Sequence, residues 1–270
     1  MNKNTLTDLL AEIRPLAFRA GEVILSCRDE VEAVVQSKPD GSPLTAADME
    51  AHRIILHGLA MLDKSIPLIS EEGDMQVDNS STDLLWLVDP LDGTLGYLRG
   101  DGQFTVNIAL VERGQVLGGV IYAPAADCMY YAARGQGSFR ENSEGTIAEL
   151  GAIQPGGELT AALTNTDHSS QMDDFLSLNG ISVKFKSSSS LKICHVAERC
   201  ADIYPRFGRT ALWDTAAGAI VAREASCRVD DLDGRPLRFD PSEGIYHHGF
   251  MVYNPTRIQQ PELPAGWQRL

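Results

Sequence analysis

The sequence has few cysteines, and their spacing does not fit a metal site. The chain has five in 270 residues, an odd number, at Cys27, Cys128, Cys194, Cys200 and Cys227. Small secreted domains carry many paired cysteines, and zinc sites are commonly built on Cys-x-x-Cys pairs, which do not occur here. The sequence therefore predicts reduced thiols in a cytosolic protein and excludes a disulfide framework or a cysteine-bound zinc ion.

Basic clusters are also lacking. Lys and Arg number 23 against 37 Asp and Glu, which gives a formal net charge of −14. A protein that binds a nucleic-acid polymer needs several neighbouring cations to neutralise phosphates, so no nucleic-acid polymer is expected as a partner. A small phosphate ester remains compatible with this charge, provided that a bound cation offsets the carboxylates locally.

Long apolar runs and glycine-rich phosphate loops are absent as well. No run approaches the ~20 apolar residues that span a bilayer, and the first residues lack the charged-then-apolar pattern of a signal peptide. No Walker-type loop occurs, so hydrolysis of nucleoside triphosphates is not expected. These absences predict a cytoplasmic protein without a membrane span, and they leave peripheral association with the inner membrane open.

The first segments with a clear pattern predict two helices separated by a hairpin. Apolar residues recur at helical spacing from Leu6 to about Ser26, and Pro15 is expected to kink this helix. Asp40-Gly41 is typical of a hairpin turn, with Val34-Val35 and Pro43-Leu44 on either side. A second helix is predicted from Thr45 to about Leu62.

Short apolar strands follow, at 67–69, 84–88, 104–110, 116–122 and 128–133. Pro90 is expected to end the second of them, because proline has no N–H for the ladder. Several strands follow one another through short turns, which favours an antiparallel or mixed sheet. The polar stretch 141–158 is typical of a boundary between lobes. We predict an α+β fold with a metal-binding lobe at 1–150 and an α/β lobe at 151–270 that contributes Asp214.

Acidic residues follow two of these strands directly. Glu71-Glu72 follows the first strand, and Asp89 and Asp92 follow the next, three residues apart. In a tight turn this spacing lets both Asp carboxylates face one point, with the Leu91 carbonyl between them. Such oxygen atoms are the ligands of a hard cation such as Mg²⁺. Gly93-Thr94 would then open a helix whose free N–H groups hold a phosphate.

Each of these residues also has a simpler interpretation. Asp-Pro-x-Asp-Gly is a common turn, and Glu71-Glu72 is typical of a solvated loop. Asp214 precedes an alanine-rich helical stretch and has the position of an N-cap. Asp48 forms a capping-box pattern with Thr45. The segment from Asp230 to Gly234 lacks most ligands of a calcium loop and is interpreted as a hairpin turn.

Several separated segments share the spacing of one known family. They are Ser42 to Asp48, Ser70 to Glu72, Asp89 to Thr94, Gln103 to Leu110, Ser189 to Lys192, Tyr204 to Gly208 and Trp213 to Gly218. On these residues the chain resembles the inositol monophosphatase superfamily of metal-dependent, lithium-sensitive phosphatases, from about residue 8 to residue 255. Within it the chain is most similar to the bacterial 3′(2′),5′-bisphosphate nucleotidases of the CysQ type, enzymes of sulfur metabolism.

The resemblance implies a layered α/β/α/β/α sandwich of the inositol monophosphatase and fructose-1,6-bisphosphatase type. It also implies two or three Mg²⁺ ions and no other cofactor. The implied metal ligands are Glu71, Asp89, the Leu91 carbonyl, Asp92 and Asp214. Thr94, paired with Asp48, would position and activate the attacking water, and Glu72 would assist.

Substrate binding is implied at two places. The reacting phosphate would lie on Leu91, Asp92, Gly93, Thr94 and Asp214, and the second-lobe wall would contribute His168, Ser188 and Lys192. Lys192 and Arg206 are either contacts to a second phosphate or ordinary surface cations. The chain departs from the nucleotidase pattern at Leu95-Gly96-Tyr97, in place of Lys-Glu-Phe, and at His247-His248, in place of Asn-Pro. Because the two histidines are adjacent, a shared metal is not expected.

These features predict hydrolysis of the 3′-phosphate of adenosine 3′,5′-bisphosphate to AMP and phosphate by a metal-activated water. An inositol monophosphatase or a sugar (bis)phosphatase of the same superfamily is the alternative, because the catalytic residues are shared. A third hypothesis is a non-catalytic protein that binds a phosphate ligand, and the full set of acidic residues argues against it. A monomer or a homodimer is expected.

Overall fold

The computed structural model describes residues 3–28, 36–37, 43–73, 83–151, 156–164, 170–264 and 267. Two long helices come first, α1 at Lys3–Arg28 and α2 at Ala46–Asp63. Pro15 lies inside α1, and Thr45 is the N-cap of α2. Between the helices, β1 (Gln36–Ser37) pairs antiparallel with β2 (Pro43–Leu44), as the hairpin prediction requires. Asp40-Gly41 and Val34-Val35 lie outside the described residues.

A seven-stranded sheet follows, with its strands side by side in chain order. They are β3 (Leu68–Ser70), β4 (Leu84–Asp92), β5 (Thr105–Glu112), β6 (Gln115–Ala123), β7 (Cys128–Ala133), β8 (Gly137–Glu141) and β9 (Ile147–Glu149). The β3–β4 pair is parallel and every later pair is antiparallel, so the sheet is mixed, as predicted. The short helix α3 (Thr94–Arg99) follows β4.

The prediction that Pro90 ends its strand was wrong. β4 continues to Asp92, and its ladder to β5 pairs Asp89 with Asn107 and Asp92 with Thr105. Two residues of β4 therefore lie opposite a single residue of β5, which is a bulge. Proline is tolerated there because a bulged residue donates no ladder hydrogen bond. The bulge brings both Asp residues to the same end of the sheet.

The second half of the chain forms a five-stranded sheet in the order β11-β10-β12-β16-β14. Its strands are β10 (Leu159–Leu163), β11 (Ile181–Lys186), β12 (Ile203–Arg206), β14 (Arg228–Asp231) and β16 (Phe250–Tyr253). The remaining elements are α4 (Ser170–Leu178), α5 (Leu191–Ala197), β13 (Thr210–Ala211), α6 (Leu212–Glu224) and β15 (Tyr246–His247). Strand β13, which directly precedes α6, pairs antiparallel with β15.

Three clusters of buried side chains define five layers. The first joins α1 and α2 to one face of the seven-stranded sheet, with Ile13, Ile55 and Trp86 among its members. The second joins the opposite face to α5, α6 and the five-stranded sheet. The third packs α4 on the far face of that sheet, with Phe175 almost fully buried. The order helix, sheet, helix, sheet, helix confirms the predicted sandwich.

Helix α6 is buried between the two sheets, and its composition explains how it fits. Ala216, Ala219 and Ala222 have no exposed surface, and a helix that is apolar on all sides is typical of a core. A Cβ at Gly119 in β6 would lie 3.0 Å from the Cα of Ala217. Because Gly119 has no side chain, α6 packs closely against the sheet. The first turn of α6 therefore lies near the end of β4.

The predicted boundary near residue 150 falls between β9 and β10, which belong to different sheets. Helix α6, from beyond that boundary, nevertheless packs against the first sheet, so one buried cluster spans both halves of the chain. The division into a metal-binding lobe and a substrate lobe stays a prediction. Among the described residues, no helix has both the length and the hydropathy needed to cross a bilayer.

Candidate metal centre

Three carboxylates from separate elements meet at one end of the seven-stranded sheet. They belong to Glu71 just after β3, Asp89 in β4 and Asp214 in the first turn of α6, and an oxygen from each lies within 4.8 Å of the others. The parallel β3–β4 ladder sets Glu71 beside Asp89, since the Glu71 N–H donates to the Val88 carbonyl at 3.2 Å. The sequence predicted Glu71 and Asp89 after two successive strands and Asp214 beside a helix, and the structure brings the three together.

Burial makes this cluster electrostatically unfavourable without a cation. Asp89 is only 1% exposed, and burial together with the charges of Glu71, Asp92 and Asp214 raises its pKa well above the ordinary range. Burial, Asp92 and Glu71 likewise raise the pKa of Asp214. Like charges in a low-dielectric site repel each other strongly. Oxygen donors of this kind fit a hard divalent cation, which would supply the missing positive charge.

Asp214 does not have the N-cap position suggested as its simpler interpretation. Helix α6 begins at Leu212, earlier than predicted, and Ala211 is its N-cap. Asp214 is the third residue of the helix, and its carboxylate accepts the Ala211 N–H at 3.1 Å. This contact fixes one carboxylate oxygen at the N-terminus of the helix and orients the side chain towards Asp89.

Asp92 is held by residues from both halves of the chain. Its carboxylate accepts the Ser190 N–H at 2.7 Å and lies 2.9 Å from the Ser190 hydroxyl. The Asn107 amide donates to the same carboxylate at 3.4 Å and to the Ser190 hydroxyl at 2.9 Å. The Ser190 hydroxyl also lies 2.9 Å from the Asp214 carbonyl. Ser190 therefore connects two of the predicted metal ligands.

Asn107 and Ser190 lie within sequence motifs of the family, but no role was predicted for either residue. A signal was present for Asn107, a polar residue in an apolar strand that lies opposite Asp89 in the β4–β5 ladder. Ser190 carried no comparable signal. Its contact with Asp92 joins residues 98 positions apart and depends on how the two halves pack.

Thr94 and Asp48 form a hydrogen-bonded pair, as predicted. The Thr94 hydroxyl lies 3.3 Å from an Asp48 carboxylate oxygen and 3.2 Å from the Leu91 carbonyl. Asp48 has no exposed surface, and it accepts the Thr45 N–H at 2.8 Å and the Thr45 hydroxyl at 2.5 Å. The capping-box interpretation and the contact with Thr94 are therefore both present. The roles of Asp48 and Thr94 in activating water stay predictions.

Gly93 occupies a position that requires glycine. Its φ is 93°, in the left-handed region, and it is the N-cap of α3. A Cβ there would lie 2.1 Å from the Ser189 hydroxyl and 2.9 Å from the Gln103 carbonyl. The segment that ends β4 therefore packs tightly against the second-half segment that carries Ser189 and Ser190.

The second-half segment forms one wall of a cleft beside these carboxylates. The cleft is lined by Asp92, Asp214, Lys192, Tyr204, Arg206 and Arg209, among others, and we call it the cation-lined cleft. Lys192 is only 5% exposed, so its interpretation as an ordinary surface cation was wrong. Ser188 is not among the residues that line this cleft, and its N–H donates to the Gln103 side chain at 2.8 Å. His168 lies outside the described residues.

Other residues singled out in the sequence are not members of the trio of carboxylates. Glu72 is half-buried, and its N–H lies 3.4 Å from the Ser70 hydroxyl, so its assisting role stays a prediction. Leu95 is exposed, whereas Tyr97 is buried edge-on against Phe104.

The adjacent histidines have different surroundings, and the segment after β14 forms the predicted turn. His247 is buried against Phe239, and burial, with the nearby Arg223 charge, lowers its pKa to about 4. His248 is exposed. The Gly234 N–H donates to the Asp231 carbonyl at 3.0 Å, which closes the turn.

Comparison with known proteins gives a consistent result. The sequence model described as the inositol monophosphatase family matches residues 6–261. A curated relative from Shigella flexneri, named 3′(2′),5′-bisphosphate nucleotidase CysQ, is 39% identical over 246 residues and covers 90% of this chain and 99% of that protein. Another of that name, from Escherichia coli strain K12, is 38% identical with the same coverage.

Solved structures agree with the sequence comparison. CysQ from Bacteroides thetaiotaomicron, described as a bacterial member of the inositol monophosphatase family, aligns with a TM-score of 0.80 at 33% identity, over 94% of this chain and 99% of that one. The chain therefore belongs to the inositol monophosphatase family.

Proposed function

We propose that this protein is a Mg²⁺-dependent phosphoric monoester hydrolase that converts adenosine 3′,5′-bisphosphate to AMP and phosphate. The observation that carries the proposal is the trio Glu71, Asp89 and Asp214 beside the Thr94–Asp48 pair. The reaction class is supported by membership of the family, and the substrate by relatives named bisphosphate nucleotidase at 38–39% identity.

The metal proposal rests on the chemistry of the donor set. Glu71, Asp89 and Asp214 offer oxygen atoms only, and burial with the neighbouring carboxylates raises the pKa values of Asp89 and Asp214, a repulsion that a bound cation would offset. Asp92 and the Leu91 carbonyl are the proposed further ligands, in a site for two or three ions. When bound, Mg²⁺ supplies Lewis acidity to the phosphoryl group and lowers the pKa of water.

The proton path is proposed to run through protein groups. A water that donates to the Thr94 hydroxyl can pass its proton on, because that hydroxyl lies 3.3 Å from the Asp48 carboxylate. Asp48 is oriented by two hydrogen bonds from Thr45, so its remaining oxygen faces Thr94. Glu72 is proposed to assist from the end of β3.

The reacting phosphate is proposed to lie on the segment Leu91 to Thr94 and on Asp214. The leaving group would extend into the cation-lined cleft, towards Ser188 and Lys192. His168 is proposed as a further contact from outside the described residues. We propose a cytoplasmic location, which the absence of a disulfide among the described residues supports. A monomer or homodimer stays a prediction.

A phosphate-release panel tests the proposal. The purified chain is assayed with adenosine 3′,5′-bisphosphate, its sulfated analogue, inositol phosphate, fructose bisphosphate and AMP, each with Mg²⁺ or with EDTA. We expect the highest kcat/KM for adenosine 3′,5′-bisphosphate and no turnover in EDTA. A preference for inositol phosphate or fructose bisphosphate would replace the proposed substrate by the alternative one.

An Asp92→Asn variant separates catalysis from binding. We expect it to lose turnover while it still binds adenosine 3′,5′-bisphosphate, measured by calorimetry. Glu50→Gln, an exposed change on α2, is the matched control and should keep full activity. A wild-type protein that binds the ligand without turning over any member of the panel would support the non-catalytic hypothesis instead.

A further inference from the structure

The cation-lined cleft contains several cations although the chain as a whole is acidic. The protein carries a net charge of −14, yet Lys192, Arg206 and Arg209 all line this one cleft. Asp92 and Asp214 stand in the same cleft. A ligand with one anionic group coordinated near the carboxylates and a second on the cations would match this polarity.

Two of the three cations are engaged in holding the wall of the cleft. The Lys192 ammonium donates to the Ser189 carbonyl at 2.8 Å and lies 5.2 Å from the centre of the Tyr204 ring. The Arg206 guanidinium donates to the Thr210 hydroxyl at 3.2 Å and lies 3.5 Å from the Arg209 carbonyl. Arg206 therefore braces the turn between β12 and β13, which is the turn that carries Arg209.

Arg209 is held in a different way. Its side chain is exposed, and its guanidinium carbon lies 3.6 Å from the centre of the Tyr246 ring. No carboxylate among the described residues lies within ion-pair distance of it. Stacking on an aromatic face fixes the plane of a guanidinium and leaves its N–H edges available to bind an anion in a bidentate manner.

The aromatic partner is itself fixed. Tyr246 lies in β15, where it pairs with Ala211 of β13, and its ring lies 6.4 Å from that of Trp213. Ala211 and Trp213 flank the start of α6, the helix that carries Asp214. The position of Arg209 is therefore coupled to the carboxylate end of the cleft through two short elements. An arginine ordered in advance loses little conformational entropy when it binds a ligand.

We propose that Arg209, stacked on Tyr246, is a specificity-determining residue that binds the second anionic group of the substrate. It makes the enzyme prefer esters with two anionic groups over esters that carry only the reacting phosphate. This inference rests on the proposed function, because it assumes that the reacting phosphate lies at Asp92 and Asp214. Bidentate contacts between arginine and phosphate supply both affinity and orientation.

Two substrates that share the reacting phosphate test the proposal. Adenosine 3′,5′-bisphosphate carries a second phosphate, and adenosine 3′-monophosphate does not. For Arg209→Gln we expect KM for the bisphosphate to rise about tenfold with kcat nearly unchanged, because one charge-assisted bidentate contact is lost. The kinetic constants for the monophosphate should be the same as in the wild type, which also shows that the variant folds.

Three further variants refine the test. Arg209→Lys keeps the charge without the planar fork and should fall between wild type and Arg209→Gln. Tyr246→Leu removes the stacking surface and should raise KM for the bisphosphate selectively, by less than the loss of Arg209. Arg113→Gln, which removes an exposed cation paired with Asp83, is the matched control and should leave both substrates unaffected.

The outcomes separate this proposal from the proposed function. Equal losses on both substrates in Arg209→Gln, or no loss on either, overturn the role of Arg209 while the wild-type activity stands. A wild-type protein that hydrolyses neither adenosine substrate overturns both the proposed function and the role of Arg209. A selective loss on the bisphosphate supports both.

Discussion

Two aspartates of this protein occupy the same position in two different helices. Asp48 is the third residue of α2 and Asp214 is the third residue of α6. Each carboxylate accepts the backbone N–H of its N-cap residue, Thr45 at 2.8 Å and Ala211 at 3.1 Å. The local geometry is the same because an acidic side chain at this position reaches back to the first free N–H of a helix.

The surroundings of the two carboxylates differ. Asp48 receives two hydroxyl groups, from Thr45 at 2.5 Å and Thr94 at 3.3 Å. Asp214 instead faces Asp89 and other carboxylates, and burial with the charges of Asp92 and Glu71 raises its pKa. The same helix position therefore carries the proposed proton acceptor in one place and a proposed metal ligand in the other. The element packed opposite decides the chemistry.

The largest expected effect comes from exchanging the two aspartates for asparagine, one at a time. Asp214→Asn keeps the shape and removes a charge from the trio, so we expect the Mg²⁺ concentration for half-maximal activity to rise about a hundredfold. Asp48→Asn should lower kcat without moving that concentration. Activity measured against Mg²⁺ concentration separates the two, with Glu50→Gln as the exposed control. Equal shifts in both variants would contradict the assignment.

Thr94→Ala tests the proposed role of Asp48 as a proton acceptor. We expect kcat to fall about a hundredfold with little change in KM, because general-base assistance contributes about that much. Thr94→Ser keeps the hydroxyl that lies 3.3 Å from Asp48 and should retain most of the activity. A normal turnover number in Thr94→Ala would mean that the pair has no part in activating water.

The metal-free protein should show a pH dependence of stability that comes from Asp89 and Asp214. Burial raises the pKa of Asp89 and of Asp214, so the folded state binds more protons than the unfolded state once pH exceeds the ordinary range of these groups. Their contribution to stability is complete at low pH and is lost as pH rises through the raised pKa values. In EDTA, the melting temperature should therefore fall from pH 5 to pH 8.

Asp214→Asn provides the control for that measurement. Because the variant has one fewer charge to repel its neighbours, we expect it to melt about 5 °C higher than the wild type in EDTA at pH 8. Added Mg²⁺ should stabilise the wild type more than the variant. If the wild type and the variant have the same melting temperature at both pH values, Asp214 is not a source of the pH dependence.

The sequence predicted those features of the site that depend on residues close together in the chain. Apolar runs that end in Glu71 and Asp89 indicated two strands with acidic ends, and the structure pairs these strands side by side. The family resemblance and the layered fold were confirmed, and the predicted hydrolase activity agrees with the names of the relatives. Strand periodicity and turn residues carry this information, because they act over a few neighbouring positions.

The remaining features depend on packing between distant segments. Asp214 reaches Asp89 only because α6 lies between the two sheets, where its alanines let it fit. No local pattern indicates that Lys192 is buried, that Arg206 braces a turn or that Pro90 lies in a bulge. The resemblance supplied the predicted metal ligands, whereas the physical reason why these residues meet is visible only in the folded chain.

The smallest effect on activity is expected from a change at the N-cap of α2, which would give α2 and α6 the same N-cap residue. Thr45→Ala gives α2 the residue that α6 has at Ala211, so Asp48 keeps the backbone N–H and loses the hydroxyl. We expect the free energy of unfolding to fall by about 1 kcal/mol, as for other lost N-caps. Thr45→Ser should restore it in chemical denaturation. Turnover should fall less than in Thr94→Ala, because Asp48 still accepts from Thr94. A larger loss of turnover than of stability would mean that Thr45 orients Asp48 for catalysis and is more than a helix cap.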